Sequence, residues 1–290
     1  MLLIVGCGDV GLRVLRLVRS RYRVLALTSS PARVAALRAA GAVPLLGNLD
    51  DAASLGRLAA LADAVLHLAP PPGHGNSDPR TQHLLQALAR SPRARRLVYA
   101  STSGVYGDAA GARLDETRAV NPSTDRARRR VDAEARVRHH GRAMGVCASI
   151  LRVPGIYALD RDGGDPRERV RRGAPVLAAG DDVYTNHIHA DDLARACVAA
   201  LQRGAPQRVY HVSDNSEIKM GEHFDAVADA FGLPRPPRLT RAEAALRLSP
   251  LQMSFLAESR RLDNRRLRSE LRLRLRYPTP AAAWAHAAST

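Results

Sequence analysis

The sequence predicts an α/β fold, a doubly wound parallel sheet followed by a smaller mixed C-terminal lobe. Three observations carry that expectation. Short apolar runs alternate with segments of helical periodicity through the first half of the chain. The runs are near-continuously apolar, as strands covered on both faces must be, and the connections between them are short. A glycine-rich turn, Gly6-Cys7-Gly8-Asp9-Val10-Gly11, joins the first run to the first helical segment.

Residues 2–5 form the first expected strand. Over 12–19, Leu12, Leu15 and Val18 recur at helix spacing. A strand at 24–27 follows, then a helix over 32–40, with Pro31 suited to a first-turn position. A third strand is expected at 42–46, a short helix at 54–61 and a fourth strand at 64–68, which Pro70, Pro71, Pro72 and Gly73 end. A helix over 79–89, a fifth strand at 96–101, a helix at about 125–140 and a strand at 147–152 extend the pattern. Beyond Pro154 the regularity breaks, and 160–165 reads as a turn-rich loop. Later segments read as a helix at 191–202, a strand at 208–213 and a helix at 220–231. Pro234, Pro236 and Pro237 interrupt the chain before helices near 241–248 and 262–270 and an Ala-rich last helix containing Trp284. The expected organisation is a Rossmann-like domain over 1–155 and a smaller lobe over 156–290, some of whose segments return to the main sheet.

The chain has 290 residues, 46% hydrophobic and 25% charged, a balance that suits one main core plus a smaller lobe and excludes wholesale disorder. Cys7, Cys147 and Cys197 are far apart in apolar surroundings, so neither a disulfide framework nor a cysteine metal site is expected. No apolar run approaches bilayer-spanning length, and the opening segment reads as a strand rather than a signal peptide. A cytoplasmic protein without a membrane partner is the expectation. The net charge is +16, and Lys219 is the only lysine. The arginines are scattered along the whole chain and aromatics are only 4%, which argues against a dedicated nucleic-acid surface.

The glycine turn has the spacing that receives a dinucleotide pyrophosphate. Gly6 permits the turn, Gly8 lets phosphate approach the backbone, and Gly11 allows close packing of helix on strand. The free N–H groups of Cys7 to Gly11 at the helix start face the anion. An acid would end the second strand if the cofactor were NAD. Thr28, Ser29 and Ser30 stand there, with Arg33 one turn on, and hydroxyls with a guanidinium suit the 2′-phosphate of NADP better. NADP or NAD is therefore expected, with NADP favoured, and Arg33 is equally readable as a solvated surface group. Asn48, Leu49 and Asp50 are placed to line the adenine pocket, although Asp50 is also readable as a helix cap. Leu68, Ala69 and Pro70 would approach the nicotinamide side.

Further motifs give a family resemblance. Ser101-Thr102-Ser103-Gly104-Val105-Tyr106-Gly107 follows the fifth strand, Arg152-Val153-Pro154-Gly155-Ile156-Tyr157 follows the sixth, and His187-Ile188-His189-Ala190-Asp191-Asp192-Leu193 comes later. Together with the glycine turn, with Arg261 to Leu267 and with Tyr277-Pro278, they resemble the extended short-chain dehydrogenase/reductase family of nucleotide-sugar epimerases and dehydratases. The resemblance covers nearly the whole chain. The short N-terminus and His67 to Pro72 look most like an atypical subgroup of NAD(P)-binding oxidoreductase-like proteins.

The resemblance implies a Ser/Thr after the fifth strand, matched by Thr102, and a Tyr-x-x-x-Lys pair on the next long helix. Aligning Ala133-Glu134 with the family puts Arg126 at the tyrosine position and Arg130 at the lysine position. The i, i+4 spacing keeps both on one helix face. Arginine stays charged at physiological pH, so Arg126 cannot act as a neutral acid. It is open to three readings: holding an anionic substrate, pairing with a carboxylate, or facing solvent. Arg130 can reach ribose hydroxyls, a phosphate or a developing oxyanion, and it too is readable as facing solvent. Tyr106 is a candidate replacement acid, ahead of Tyr157 and Tyr184. His187 and His189 would face the same way on a strand, and no metal site is expected there, because a pair lacks enough ligands. Asp191 is expected to help cap the following helix. Pro154 joins Thr102, Tyr106 and Arg126 as a contact near the cofactor and substrate.

Two functions follow. One is an NAD(P)-binding oxidoreductase or epimerase/dehydratase-like enzyme with a non-standard site, acting on a small anionic or nucleotide-linked substrate. The other is a catalytically inactive dinucleotide-binding sensor or partner-binding protein. The family resemblance implies a dimer through the helices at 79–89 and 125–140. The arginines of the second make a monomer an alternative to a homodimer.

Overall fold

The structure is a computed structural model that describes residues 1–91 and 93–288. In the N-terminal half, β1 (Leu2–Val5), α1 (Asp9–Val18), β2 (Val24–Thr28), α2 (Val34–Ala39), β3 (Val43–Leu46) and β4 (Ala64–His67) alternate as the apolar pattern requires. Next come α3 (Pro79–Ala89), β5 (Arg96–Thr102), β6 (Arg113–Leu114), α4 (Asp125–Ala143) and β7 (Cys147–Val153). The remainder comprises β8 (Gly155–Tyr157), α5 (Pro166–Arg171), β9 (Val176–Leu177), β10 (Tyr184–Thr185), β11 (His187–His189), α6 (Ala190–Arg203), β12 (Arg208–His211), β13 (Ile218–Lys219) and α7 (Met220–Ala230). It ends with β14 (Arg238–Leu239), α8 (Arg241–Arg247), α9 (Pro250–Leu256), β15 (Arg261–Leu262), α10 (Arg265–Ser269) and α11 (Pro280–Ala288).

Seven parallel strands form the main sheet in the order β12-β7-β5-β4-β1-β2-β3. The chain reverses its direction of winding between β1 and β4, and that switch opens a crevice at the carboxyl ends of the strands. Alternate residues of β1 feed the two faces. Leu2 and Ile4 pack with Val14, Leu15 and Val18 of α1 and with α6, while Leu3 and Val5 pack with Leu84 and Leu88 of α3 and Val137 of α4. The strand is buried throughout, which explains its uninterrupted apolar sequence.

The C-terminal lobe is tied on by short pairings: β8 with β11, β9 with β14, β10 with β13 and β6 with β15. β12 returns to the main sheet beside β7. A separate apolar cluster joins Tyr157, Val227, Tyr277 and Trp284.

Several expected boundaries moved. α1 begins at Asp9, because the glycine turn forms the helix start and its apolar periodicity only begins at Leu12. The segments at 31–33 and 52–58 are 3₁₀ turns. α5 was hidden in sequence as an arginine-rich stretch; Asp165 caps it by accepting from the Arg167 N–H, and Pro166 takes the first position. The helix expected at 262–270 shrinks to Arg265–Ser269, because Arg261 and Leu262 pair with β6. Among the described residues no helix is long and apolar enough to cross a membrane, and no group of His, Cys, Asp and Glu could hold a metal ion.

Candidate functional site

The glycine turn divides its three glycines by environment. Gly6 has φ +85°, and a Cβ there would sit 2.4 Å from the Ala69 nitrogen, so β1 and the exit from β4 meet only because the side chain is absent. A Cβ at Gly11 would press on Cys7 Sγ at 3.2 Å and the Gly6 carbonyl oxygen at 3.3 Å. Gly8 differs: nothing lies within 4 Å of its Cβ position. Gly6 and Gly11 are therefore needed by the protein's own packing, and Gly8 opens onto free space. Gly8 is also the N-cap of α1 and provides no side-chain hydrogen bond, so the first-turn N–H groups keep their capacity for an anion. Asp9, in that turn, is held by Arg13 at 3.1 Å and Arg161 at 2.8 Å, which offsets its negative charge beside the turn. Val10 packs against the main core and Cys7 is buried. The residues present fit a dinucleotide pyrophosphate.

At the end of β2, the Thr28 hydroxyl accepts from the Ser30 N–H at 3.2 Å, and Ser29 is exposed. Arg33 reaches back to the glycine turn, donating to the Cys7 carbonyl at 2.6 Å. That bond tethers a side chain that is otherwise exposed, as a surface group is. Asn48 accepts from the Asp50 N–H at 3.0 Å, and the Leu49 carbonyl lies 2.8 Å from His83 Nδ1. The Asp50 carboxylate is gripped on both oxygens by Arg80, each at 2.7 Å, which lowers its pKa. The capping role considered for Asp50 falls instead to Asp51, which accepts from the Ala53 N–H at 3.0 Å.

A cleft of about 1140 Å³ lies between the sheet and the C-terminal lobe. Pro70, Thr102, Arg126, Arg130 and Pro154 line it together, so one cavity collects sequence-predicted residues from four separate segments. Leu68 and Ala69 stay behind, with both N–H groups bound to the Val5 carbonyl. Thr102 caps the turn after β5, its hydroxyl accepting from the Gly104 N–H at 3.2 Å. Arg130 donates to the Ala100 carbonyl at 2.8 Å and to the Tyr99 hydroxyl at 3.0 Å. Partial desolvation lowers the pKa of Arg126, and Arg130, Arg129 and Arg260 act in the same direction, while Glu258 opposes them. Arg129, Arg169, Arg172 and Arg260 add positive charge to the lining, and Asp165, Glu168 and Glu258 add negative charge.

Tyr106 lies elsewhere. Its ring is buried, and its hydroxyl sits 2.5 Å from His211 Nε2 and accepts from Arg152 at 2.6 Å. Arg152 in turn grips Glu134 at 3.0 and 2.7 Å, and the Ser101 hydroxyl donates to the same carboxylate at 2.7 Å. Burial pushes the Tyr106 pKa up to about 12, against the pull of Arg152. This network ties α4 to β5, β7 and β12 beneath the cleft, and Tyr106 is not among the lining residues.

Capping at α6 also differs from expectation. His189 Nδ1 accepts the Asp191 N–H at 3.2 Å, while Asp191 pairs with Arg13 at 2.5 Å. Arg13 also holds Asp160 at 2.7 Å, so the loop after β8 is fastened to α1 beside the glycine turn.

A family model described as NAD dependent epimerase/dehydratase family matches residues 2–213. The chain belongs to this family. It is 28% identical over 246 residues to a dTDP-glucose 4,6-dehydratase of Mycolicibacterium smegmatis, covering 73% of this chain and 71% of that protein. It is 24% identical over 222 residues to the protein YeeZ of Escherichia coli K12, covering 76% and 73%. Among solved structures, a functionally unknown conserved protein from Silicibacter pomeroyi superposes with a TM-score of 0.83 at 29% identity, over 99% of this chain and 98% of that one. An extended short-chain dehydrogenase/reductase-like, epimerase/dehydratase-type protein was the reading from the motifs, and the family match agrees.

Residues the sequence did not single out also line the cleft: Arg129, Arg169, His223 and Arg260. Arg129 lies one residue from Arg130, but its burial, with one N–H group on the Gly75 carbonyl at 2.6 Å, depends on a loop 54 residues away. His223 and Arg169 carry no motif, and only the packing of α5 and α7 brings them in.

Proposed function

We propose that the chain binds a nicotinamide dinucleotide on the glycine turn and acts on an anionic, nucleotide-linked sugar substrate in the adjoining cleft. One observation carries the reading: of the three motif glycines, only Gly8 opens onto free space, at an uncapped helix start that joins the crevice at the sheet's switch point. Gly6 to Gly11 would hold the pyrophosphate, and Pro70 would flank the nicotinamide, with Leu68 and Ala69 backing it from behind. Asn48, Leu49 and Asp50 border the adenine end. NADP is favoured over NAD, since no acid ends β2 and Arg33 is fastened to the glycine turn with Thr28, Ser29 and Ser30 beside it.

When bound, the cofactor supplies reversible hydride transfer at a substrate carbon. The chain's own residues supply binding and charge. Arg126 and Arg130 are permanently cationic, so they hold anionic groups and stabilise an oxyanion but do not accept a hydroxyl proton. Thr102 and Pro154 shape the wall between cofactor and substrate. Tyr106 positions Arg152 and the sheet beneath the site.

The reading is tested by assaying cofactor reduction and oxidation against a panel of nucleotide sugars, with Arg126→Tyr in parallel. Turnover by the natural protein supports it. The two arginines at the tyrosine and lysine positions favour a second reading, dinucleotide binding without turnover, and turnover in Arg126→Tyr alone would establish that one.

A further inference from the structure

Arg130 lines the cleft, yet one nitrogen of its guanidinium is anchored in the wall behind it. Its Nη1 donates to the Tyr99 hydroxyl at 3.0 Å and to the Ala100 carbonyl at 2.8 Å. Both acceptors belong to β5. One turn further along α4, Glu134 accepts from the Ser101 hydroxyl of the same strand at 2.7 Å. The i, i+4 spacing puts Arg130 and Glu134 on one helix face, so two polar ties set the register of α4 against β5. Tyr99 itself is fully buried, in the apolar cluster that holds Leu84, Leu97 and Ile150.

The surroundings of the anchor are kept uncharged. The His67 ring, at the end of β4, packs on Tyr99 with centroids 5.2 Å apart. Its Nε2 lies 2.9 Å from the Thr81 hydroxyl, which itself donates to Asp78 at 2.7 Å. Thr81 must therefore accept from His67, which places the imidazole proton on Nε2 and leaves Nδ1 buried without a partner among the described residues. Burial, aided by the Arg130 charge, holds His67 neutral, at about 3. Burial also pushes the Tyr99 phenol up to about 12, against the pull of Arg130, with Asp78 and Glu134 adding to the rise.

The two carboxylates that act on Tyr99 have other partners. Asp78 accepts from the Thr81 N–H at 3.1 Å, and Glu134 holds Arg152 and Arg138. Of the acids that line the cleft, Asp165 pairs with Arg167 and Glu258 with Arg260, and neither these nor Glu168 lies within ion-pair distance of Arg130. Arg130 is thus held by neutral acceptors alone. A carboxylate would fix a guanidinium as firmly, but it would also offset the charge. Nη1 spends both its N–H groups on β5, while Nε and Nη2 keep theirs.

We propose that Tyr99 is a positioning residue for Arg130: with the Ala100 carbonyl it fixes Nη1, so that Nε and Nη2 present an unshared positive charge to the nicotinamide half of the dinucleotide. The proposal rests on the function given above, which puts that half of the cofactor beside Pro70 in the same cleft. Tyr99 touches neither cofactor nor substrate and acts only through Arg130.

The test is a double-mutant cycle on dinucleotide affinity, read by calorimetric titration of the natural protein, Tyr99→Phe, Arg130→Gln and the double variant. Phenylalanine keeps the ring packing and removes only the acceptor. Tyr99→Phe should weaken the dinucleotide about fivefold, the worth of one hydrogen bond, and should have no effect once Arg130 is replaced by glutamine. A role in packing alone would give the same factor in both backgrounds. A second readout needs no ligand. NMR spectra of the guanidinium N–H groups follow rotation of the Arg130 side-chain tip, whose signals are assigned by their absence in Arg130→Gln. That rotation should be about tenfold faster in Tyr99→Phe. Equal factors in the two backgrounds, or unchanged rotation, overturn the positioning role. If the natural protein binds no nicotinamide dinucleotide, the function reading falls instead, and the guanidinium spectra decide the anchor on their own.

Discussion

Replacing Gly6 or Gly8 by alanine should separate the two jobs of the glycine turn. At Gly6 the backbone has φ +85°, which an L side chain adopts at a cost of about 1–2 kcal/mol. The new Cβ would also stand 2.4 Å from the Ala69 nitrogen and 2.6 Å from its Cα, both backbone atoms that move only with the β4 exit. Forcing that shift adds about 1–3 kcal/mol. Gly6→Ala should therefore lose about 3 kcal/mol, a fall of roughly 5 °C in melting temperature for a chain of this size. At Gly8, φ is −82° and nothing lies within 4 Å, so stability should stay within about 0.5 kcal/mol of the parent. The added methyl nonetheless occupies the approach to the helix start, and dinucleotide affinity should fall by about tenfold or more. Thermal unfolding with and without dinucleotide, combined with calorimetric titration, reads both effects. A Gly8→Ala protein that binds dinucleotide like the parent would refute the reasoning, as would a Gly6→Ala protein that melts like it.

Three other perturbations bear on the account. Glu134→Gln strips the partner from a nearly inaccessible Arg152 guanidinium, and denaturant unfolding should show a loss of about 3 kcal/mol or more; a loss under about 1 kcal/mol would mean the network carries little. Asp214 is buried and its pKa is raised to about 7, so the folded state prefers the protonated acid. Its stabilising preference is complete below the unfolded carboxyl value and is lost as pH rises through about 7, about three pH units higher, so Asp214→Asn should gain about 4 kcal/mol near pH 8 and almost nothing near pH 4. A gain independent of pH would contradict this. His67 and His211 are held neutral at about 3 and about 4 by burial, below their unfolded value, so the unfolded chain takes up those protons first. Stability should fall as pH drops below about 6.5, and a flat profile down to about pH 4 would be inconsistent with their burial.

The sequence carries the sheet and the glycine turn for the same reason: both are written in neighbouring residues. A fully buried strand needs an unbroken apolar run, and the spacing of Gly6, Gly8 and Gly11 is a local property of one turn. The two-residue pairings of β6, β9, β10, β13, β14 and β15 have no periodicity to read, since partners brought together by the fold define them. α5 was missed because Arg167, Glu168, Arg169 and Arg171 bury only Pro166 and Val170. At the site, Thr102, Arg126, Arg130 and Pro154 were recognisable from motif order, and they do share one cleft. Tyr106 shows the limit of motif order. Its hydroxyl is committed to Arg152 and His211, 46 and 105 residues away, and no local signal reports that. The same holds for Asp50, whose carboxylate is bound by Arg80, and for His223, which reaches the cleft only through the packing of α7 on α5.

Direct titration of the purified chain with NAD and NADP, each in oxidised and reduced form, tests the central claim. The account predicts saturable one-site binding in the micromolar range, tighter for the NADP pair and weakened by Gly8→Ala. Absence of binding by all four at about millimolar concentration, weaker than about −4 kcal/mol, would contradict it.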